Sequence, residues 1–201
     1  FAVLLSRYSG QHDLAIGTTV ANRPRTTLES LVGFFTNMLA MRMNVDGELG
    51  FDAFLGRVRG DVRAALQREH VPFDRVVEAV QPERIASHNP LVQVCFSFLQ
   101  AHRDTLRLGD LDVVQIDPPS PASRFDLTLM MEDTAAGLVG AFEYSTDLFE
   151  RETIVRLIGH WQTLLESLVT EPERSIADHS LLGSAERNRI LMGWNDSTTA
   201  Y

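Results

Sequence analysis

The feature that most constrains this chain is a change of hydrophobic period along its length. Leu39, Met41, Met43 and Val45 alternate with Ala40, Arg42 and Asn44, the period of two expected of a half-buried strand. Just beyond, Phe51, Phe54, Leu55, Val58, Val62 and Leu66 fall at helical spacing, with Arg and Asp on the opposite side. A chain that switches in this way must pair strands into a sheet and lay helices against it.

The same reading extends in both directions. Residues 1–10, FAVLLSRYSG, read as the last turns of a helix, which makes the chain a piece of something longer; they lack the basic start and small-residue cleavage site of a signal peptide. Asp13 to Val20 is a short apolar strand. Pro72 ends the long helix and opens a second, Phe73 to Val80. Val92, Val94, Phe96 and Phe98 mark another strand, Leu111 to Ile116 a weaker one. Phe125 to Glu132 and Leu138 to Ser145 form a hairpin in which Gly137 suits a turn at positive φ. A helix from Glu150 to Thr170 carries Ile154, Leu157, Ile158, Trp161, Leu164, Leu165 and Leu168 on one face. The order predicts a two-layer α/β arrangement, a mixed sheet with helices on one face. Strands and helices do not alternate strictly, which excludes a dinucleotide-binding repeat and a (β/α) barrel. Residues 1–172 make the domain, and the polar, punctuated 173–201, with one short helix near Ala185 to Met192, reads as a linker.

Charge narrows the partners. The net charge is −9 and all 18 basic side chains are arginines, so the surface repels phosphate backbones and offers no lysine for a phosphate loop or a Schiff base. Cys95, the one cysteine, lies in the apolar run LVQVCFSFL and reads as an inert buried thiol; it supports no disulfide framework and fits a reducing, cytoplasmic setting. No apolar run is long enough to span a membrane. The six histidines show neither i, i+4 pairs on a helix nor a ligand spacing, and His160 beside Trp161 reads as a packed or partly exposed histidine. No catalytic constellation is evident: G-x-S-x-G and G-x-G-x-x-G are both missing.

Several loop segments have unusually specific content. Gly17 to Arg23 puts small residues after a strand, suited either to a thin substrate arm beside the backbone or to an ordinary strand exit. Leu31 to Asn37 joins Phe34 and Phe35, expected in the core, to a polar pair. His70 to Asp74 is a helix–Pro–helix corner, and Arg84 to Leu91 a loop delivering the chain into a strand.

In this order the segments resemble the later core motifs of nonribosomal peptide synthetase condensation domains. LVGFFTNMLAMR (Leu31 to Arg42) is similar to the family's I/V-G-x-F-V-N-T, REHVPFDRVVEAV (Arg68 to Val80) to H-Q-D-x-P-F-E, and PERIASHNPLVQV (Pro82 to Val94) to R-D-x-S-R-N-P-L. IGTTVANR, SRFDLTLMMED, FEYSTDLFERETI and the terminal LLGSAERNRILMGWNDSTTAY look like the same family, the last like a connector into an adenylation domain. Thr36 and Met38 depart from the first motif, and the middle one lacks His-Gln-Asp. These departures bear on subtype.

The resemblance implies a chloramphenicol-acetyltransferase-like fold, of which this chain is the C-terminal lobe. It implies amide formation between acyl and aminoacyl thioesters tethered by phosphopantetheine to donor and acceptor carrier proteins. No cofactor or metal would be bound directly. The catalytic HHxxxDG would belong to an N-terminal partner lobe, since no two histidines are adjacent here; the fragment alone would be inactive. Residues expected along the substrate tunnel are Ala21, Asn22, Arg23, Phe34 and Asn37, with Ser123, Arg124 and Phe125 bridging towards the other lobe. Alternatives of the same fold are a non-catalytic lobe that docks carrier proteins, and an epimerization or cyclization relative; the adenylation connector favours ordinary condensation.

Overall fold

The alternating segment is a strand, and its alternation is the reason it has an inside. In the computed structural model, which describes residues 1–83, 85, 88–100, 111, 113, 122–134 and 137–195, Leu39, Met41, Met43 and Val45 are buried while Arg42 and Asn44 are exposed. In chain order the elements are α1 (Ala2–Ser9), β1 (Asp13–Val20), a 3-10 turn, β2 (Asn37–Asn44), α2 (Phe51–Leu66), α3 (Phe73–Val80), β3 (Val94–Gln100), β4 (Leu127–Thr134), β5 (Gly137–Tyr144) and α4 (Arg151–Thr170). A second 3-10 turn (Ile176–Asp178) and α5 (Ser184–Asn188) follow, and α5 runs on into a π turn (Arg189–Gly193). The strand expected over 111–116 lies largely outside the described residues.

The sheet is mixed and five-stranded, in the order β2-β1-β3-β4-β5. β1 and β3 run parallel, as do β3 and β4, and β4 and β5 form the antiparallel hairpin. Gly137 at φ 115 supplies the positive φ that the hairpin turn was expected to need. Register places Ile16, Val94 and Leu127 side by side on one face, and Gly17, Cys95 and Thr128 on the other. The α/β class and the mixed sheet are as expected.

The chain divides into two compact units. One comprises Phe1–Leu14, Arg42–Gln67 and Glu150–Tyr201. There α1 packs on α4, and Val3, Leu4, Met43, Val45, Phe54, Ile154, Leu157, Leu164, Leu168 and Ile176 are buried. Gly10 ends α1 in the left-handed region at φ 71, its N–H bonded to the Ser6 carbonyl at 2.8 Å. The segment after α4, read from sequence as the start of a linker, is tied down in this unit: Ile176 N–H donates to the Leu49 carbonyl at 2.9 Å and Ala177 N–H to that of Gly47 at 3.0 Å. The other unit, Ala15–Met41 and Arg68–Phe149, buries Ile16, Leu39, Met41, Val92, Cys95, Leu127 and Leu129.

Three details differ from the sequence reading. The stripe on α2 is real but only partly covered. Phe54 is buried, whereas Leu55, Val62 and Leu66 are exposed, because burial requires a facing surface as well as helical spacing. Phe34, expected in the core, is 89% exposed. β3 starts at Val94, not Val92, because Leu91 at φ 64 turns the backbone and the Val92 N–H bonds to the Pro90 carbonyl instead of a ladder partner.

Candidate functional site

The expected tunnel residues lie in the second unit, in two groups. At the exit of β1, Asn22 sits at φ 50, a conformation asparagine tolerates better than most residues, and Ala21 is exposed. The turn aims Arg23 back along its own loop. Its guanidinium lies 4.1 Å above the Phe35 ring and donates to the carbonyls of Leu28 and Gly33. Arg23 therefore organises the loop from β1 to β2, and that loop carries the exposed Phe34.

Asn37, the first residue of β2, uses its whole amide. Nδ2 donates to the carbonyls of Glu69 and Val71, each at 2.7 Å, and Oδ1 accepts from the Phe73 N–H at 3.1 Å. Helix ends leave backbone groups without internal partners. Asn37 supplies them where α2 gives way to α3, and so holds the corner around Pro72.

Ser123, Arg124 and Phe125 belong to the second group. The Asn89 side-chain amide donates to the Arg124 carbonyl at 2.8 Å, Gln93 Nε2 donates to the Asn89 carbonyl at 2.9 Å, and the Asp126 N–H to the Gln93 carbonyl at 3.0 Å. Ser123 Oγ donates to the Phe125 carbonyl. The loop ahead of β3 and the entry to β4 are thereby sewn together. Among the described residues, no hydrogen bond joins this group to Arg23 or Asn37. Arg84, Ala86 and Ser87 of the same motif lie outside the described residues.

Gly17 has a packing reason for being small. A Cβ there would stand 2.8 Å from Cys95 Sγ and 2.9 Å from Val92 Cγ1, so the side chains of Val92 and Cys95 occupy the space a side chain would need. Cys95 is 4% exposed, and burial pushes its thiol up to about 11, with Arg124 offsetting a little. It is the inert thiol expected.

One cluster was beyond the reach of sequence reading. In the first unit His160, 8% exposed, is bonded on both ring nitrogens: Nδ1 to the Tyr8 hydroxyl at 2.6 Å and Nε2 to Glu186 Oε2 at 2.8 Å. Burial raises the Tyr8 pKa, Arg156 lowers it and Glu186 raises it. His160 is packed, as expected, but its partners are 152 and 26 residues away in sequence, and no local spacing announces them. His179, 1% exposed, is bonded through Nδ1 to Ser167 Oγ at 2.7 Å. No group of three metal-donor side chains occurs among the described residues.

The architecture is that of the condensation fold. A four-domain nonribosomal peptide synthetase solved with AMP and glycine superposes with a TM-score of 0.81 at 28% identity, over 92% of this chain and 15% of that one. The X-domain from teicoplanin biosynthesis superposes at 0.80 with 28% identity, over 90% of this chain and 42% of its own. In sequence, a linear gramicidin synthase of Brevibacillus parabrevis is 43% identical and chondramide synthase cmdD of Chondromyces crocatus 42% identical; each alignment takes in 100% of this chain. The chain spans only 3% and 5% of the length of those two relatives. The condensation domain family model matches residues 1–191, and the chain belongs to the condensation domain family of nonribosomal peptide synthetases.

Proposed function

We propose that this chain is the C-terminal half of a peptide-bond-forming condensation domain, with 173–201 running towards an adenylation domain. The observation that carries the reading is that family motifs meet in space: Asn37 of the first motif bonds the backbone of the second on both sides of Pro72. The half contributes one wall of a tunnel, with Ala21, Asn22, Arg23, Phe34, Asn37 and Ser123 to Phe125 along or behind it. The opposing N-terminal half brings HHxxxDG, whose second histidine orients or deprotonates the acceptor amine. That nitrogen attacks the donor thioester carbonyl, an amide forms, and the pantetheine thiol departs with the proton. Both reactants arrive on phosphopantetheine arms of carrier proteins. Holding them in one tunnel makes the attack nearly unimolecular, an advantage of several kcal/mol. Arg23 and Asn37 act here as positioning groups, since their own bonds are satisfied within the loop and corner.

The test is dipeptidyl thioester formation between loaded donor and acceptor carrier proteins by the full-length protein. Activity should require an HHxxxDG upstream of Phe1, and turnover should fall at least tenfold in Arg23→Ala while carrier-protein affinity holds. An upstream sequence without that motif refutes the reading. A docking lobe is the second reading, favoured by the 26% identical teicoplanin X-domain solved in complex with OxyB. Carrier-protein binding without condensation by the full-length protein would select it. Among the described residues no helix is long and apolar enough to cross a membrane; a cytoplasmic setting forms part of the proposal.

A further inference from the structure

We infer that the cleft bordered by α1, α4 and α5 is a binding site for a small phosphorylated ligand carrying a flat ring, of the nucleotide class. The inference does not rest on the condensation reading. The cleft measures about 710 Å³, within the range of small-molecule sites, and every residue lining it belongs to the first unit.

Its charge is opposite to that of the chain. On a protein of net charge −9, Arg7, Arg156 and Arg189 line one concavity in which Glu186 is the carboxylate, and Glu186 is already bonded to His160. Arg7 donates to the carbonyls of Ala177 at 2.8 Å and His179 at 3.4 Å, neutral acceptors that fix its position, and among the described residues it forms no ion pair. Among the described residues, neither Arg156 nor Arg189 has a carboxylate within ion-pair distance. Guanidinium forks match phosphate oxygens in pairs, and a concave wall concentrates their field.

The rim supplies the ring-binding surface. Trp194 is 69% exposed, with the Arg189 guanidinium 5.8 Å from its ring centroid, so an indole face and a planar cation stand at the cleft mouth. Flat heterocycles stack on both kinds of surface. In the same lining, the hydrogen-bonded Tyr8–His160–Glu186 chain draws one group from each of α1, α4 and α5 and makes a polar wall.

The test is photolabelling of the intact protein with 8-azidoadenosine 5′-diphosphate followed by peptide mapping, which separates this cleft from any other nucleotide site. Label is expected on the peptide that follows Arg189 or on that containing Tyr8. Pyrophosphate should compete, raised salt should weaken the labelling, and Arg156→Gln with Arg189→Gln should reduce it at least tenfold. Trp194→Ala should lower labelling while Trp194→Phe retains it, which separates stacking from misfolding. Label confined to other peptides, or label here that is indifferent to salt and to the arginine changes, overturns the proposal. So does displacement by an acidic peptide but not by pyrophosphate, which makes the cleft a protein-docking surface.

Discussion

At the residue scale, Asn37 and Cys95 show how a side chain's worth is decided by its neighbours. Asn37→Ala leaves two carbonyls and one N–H without their partner at a part-buried corner. Losing satisfied partners at such a site costs about 1–3 kcal/mol, measurable as a lower urea midpoint. Asn37→Asp keeps the acceptor for Phe73 but sets a carboxylate against the carbonyls of Glu69 and Val71. That variant should be less stable than the parent at neutral pH and recover as acid protonates it. Cys95 makes a different prediction. Its folded pKa of about 11 lies above the ordinary value of 9.0, so the buried neutral thiol stabilises the fold fully at low and neutral pH. That contribution falls as pH rises past the unfolded value towards 11, and Cys95→Ala should lack this alkaline component. Iodoacetamide at pH 8 should modify native Cys95 roughly a hundredfold more slowly than the unfolded chain, from the smaller thiolate fraction alone.

At the element scale, close approaches and long-range tethers hold pieces that their own sequences cannot. β1 runs beside β3 at Gly17, where a Cβ would lie 2.8 Å from Cys95 Sγ. Gly17→Ala should therefore destabilise the protein by about 1–3 kcal/mol, the usual cost of forcing atoms into a packed core, read as a fall in the unfolding midpoint. α5 spans only Ser184–Asn188, far below the length at which a helix is stable by itself. Its bond from Glu186 to the buried His160 is one of the contacts that keep it in place. Glu186→Gln weakens that bond, and hydrogen exchange should speed up over 184–193 while the middle of α4 stays protected.

At the scale of the whole molecule, exposed apolar surface sets the behaviour. Leu55, Val62 and Leu66 on α2, Leu138 and Val139 on β5, and Phe34 are all exposed. Surface of this kind in quantity marks interaction sites. The isolated 201-residue chain should self-associate at micromolar concentration, with a sedimentation coefficient that rises with loading; a concentration-independent monomer would contradict this.

What the sequence determined by itself was the kind and order of the elements. Leu39 to Val45 alternates and Phe51 to Leu66 recurs at helical spacing, and backbone geometry converts each period into one element whatever surrounds it. The loop motifs were equally legible, since glycine, proline and asparagine carry their conformational preferences with them. Only the tertiary structure decided what covers each face and what each polar group bonds. α2 has an apolar stripe that is only partly covered; Phe34 points out where core was expected. Asn37 meets a corner more than thirty residues away, and His160 finds Tyr8 across 152. Period is a property of neighbours along the chain, whereas burial and hydrogen-bond partnership belong to neighbours in space, which a single sequence does not reveal.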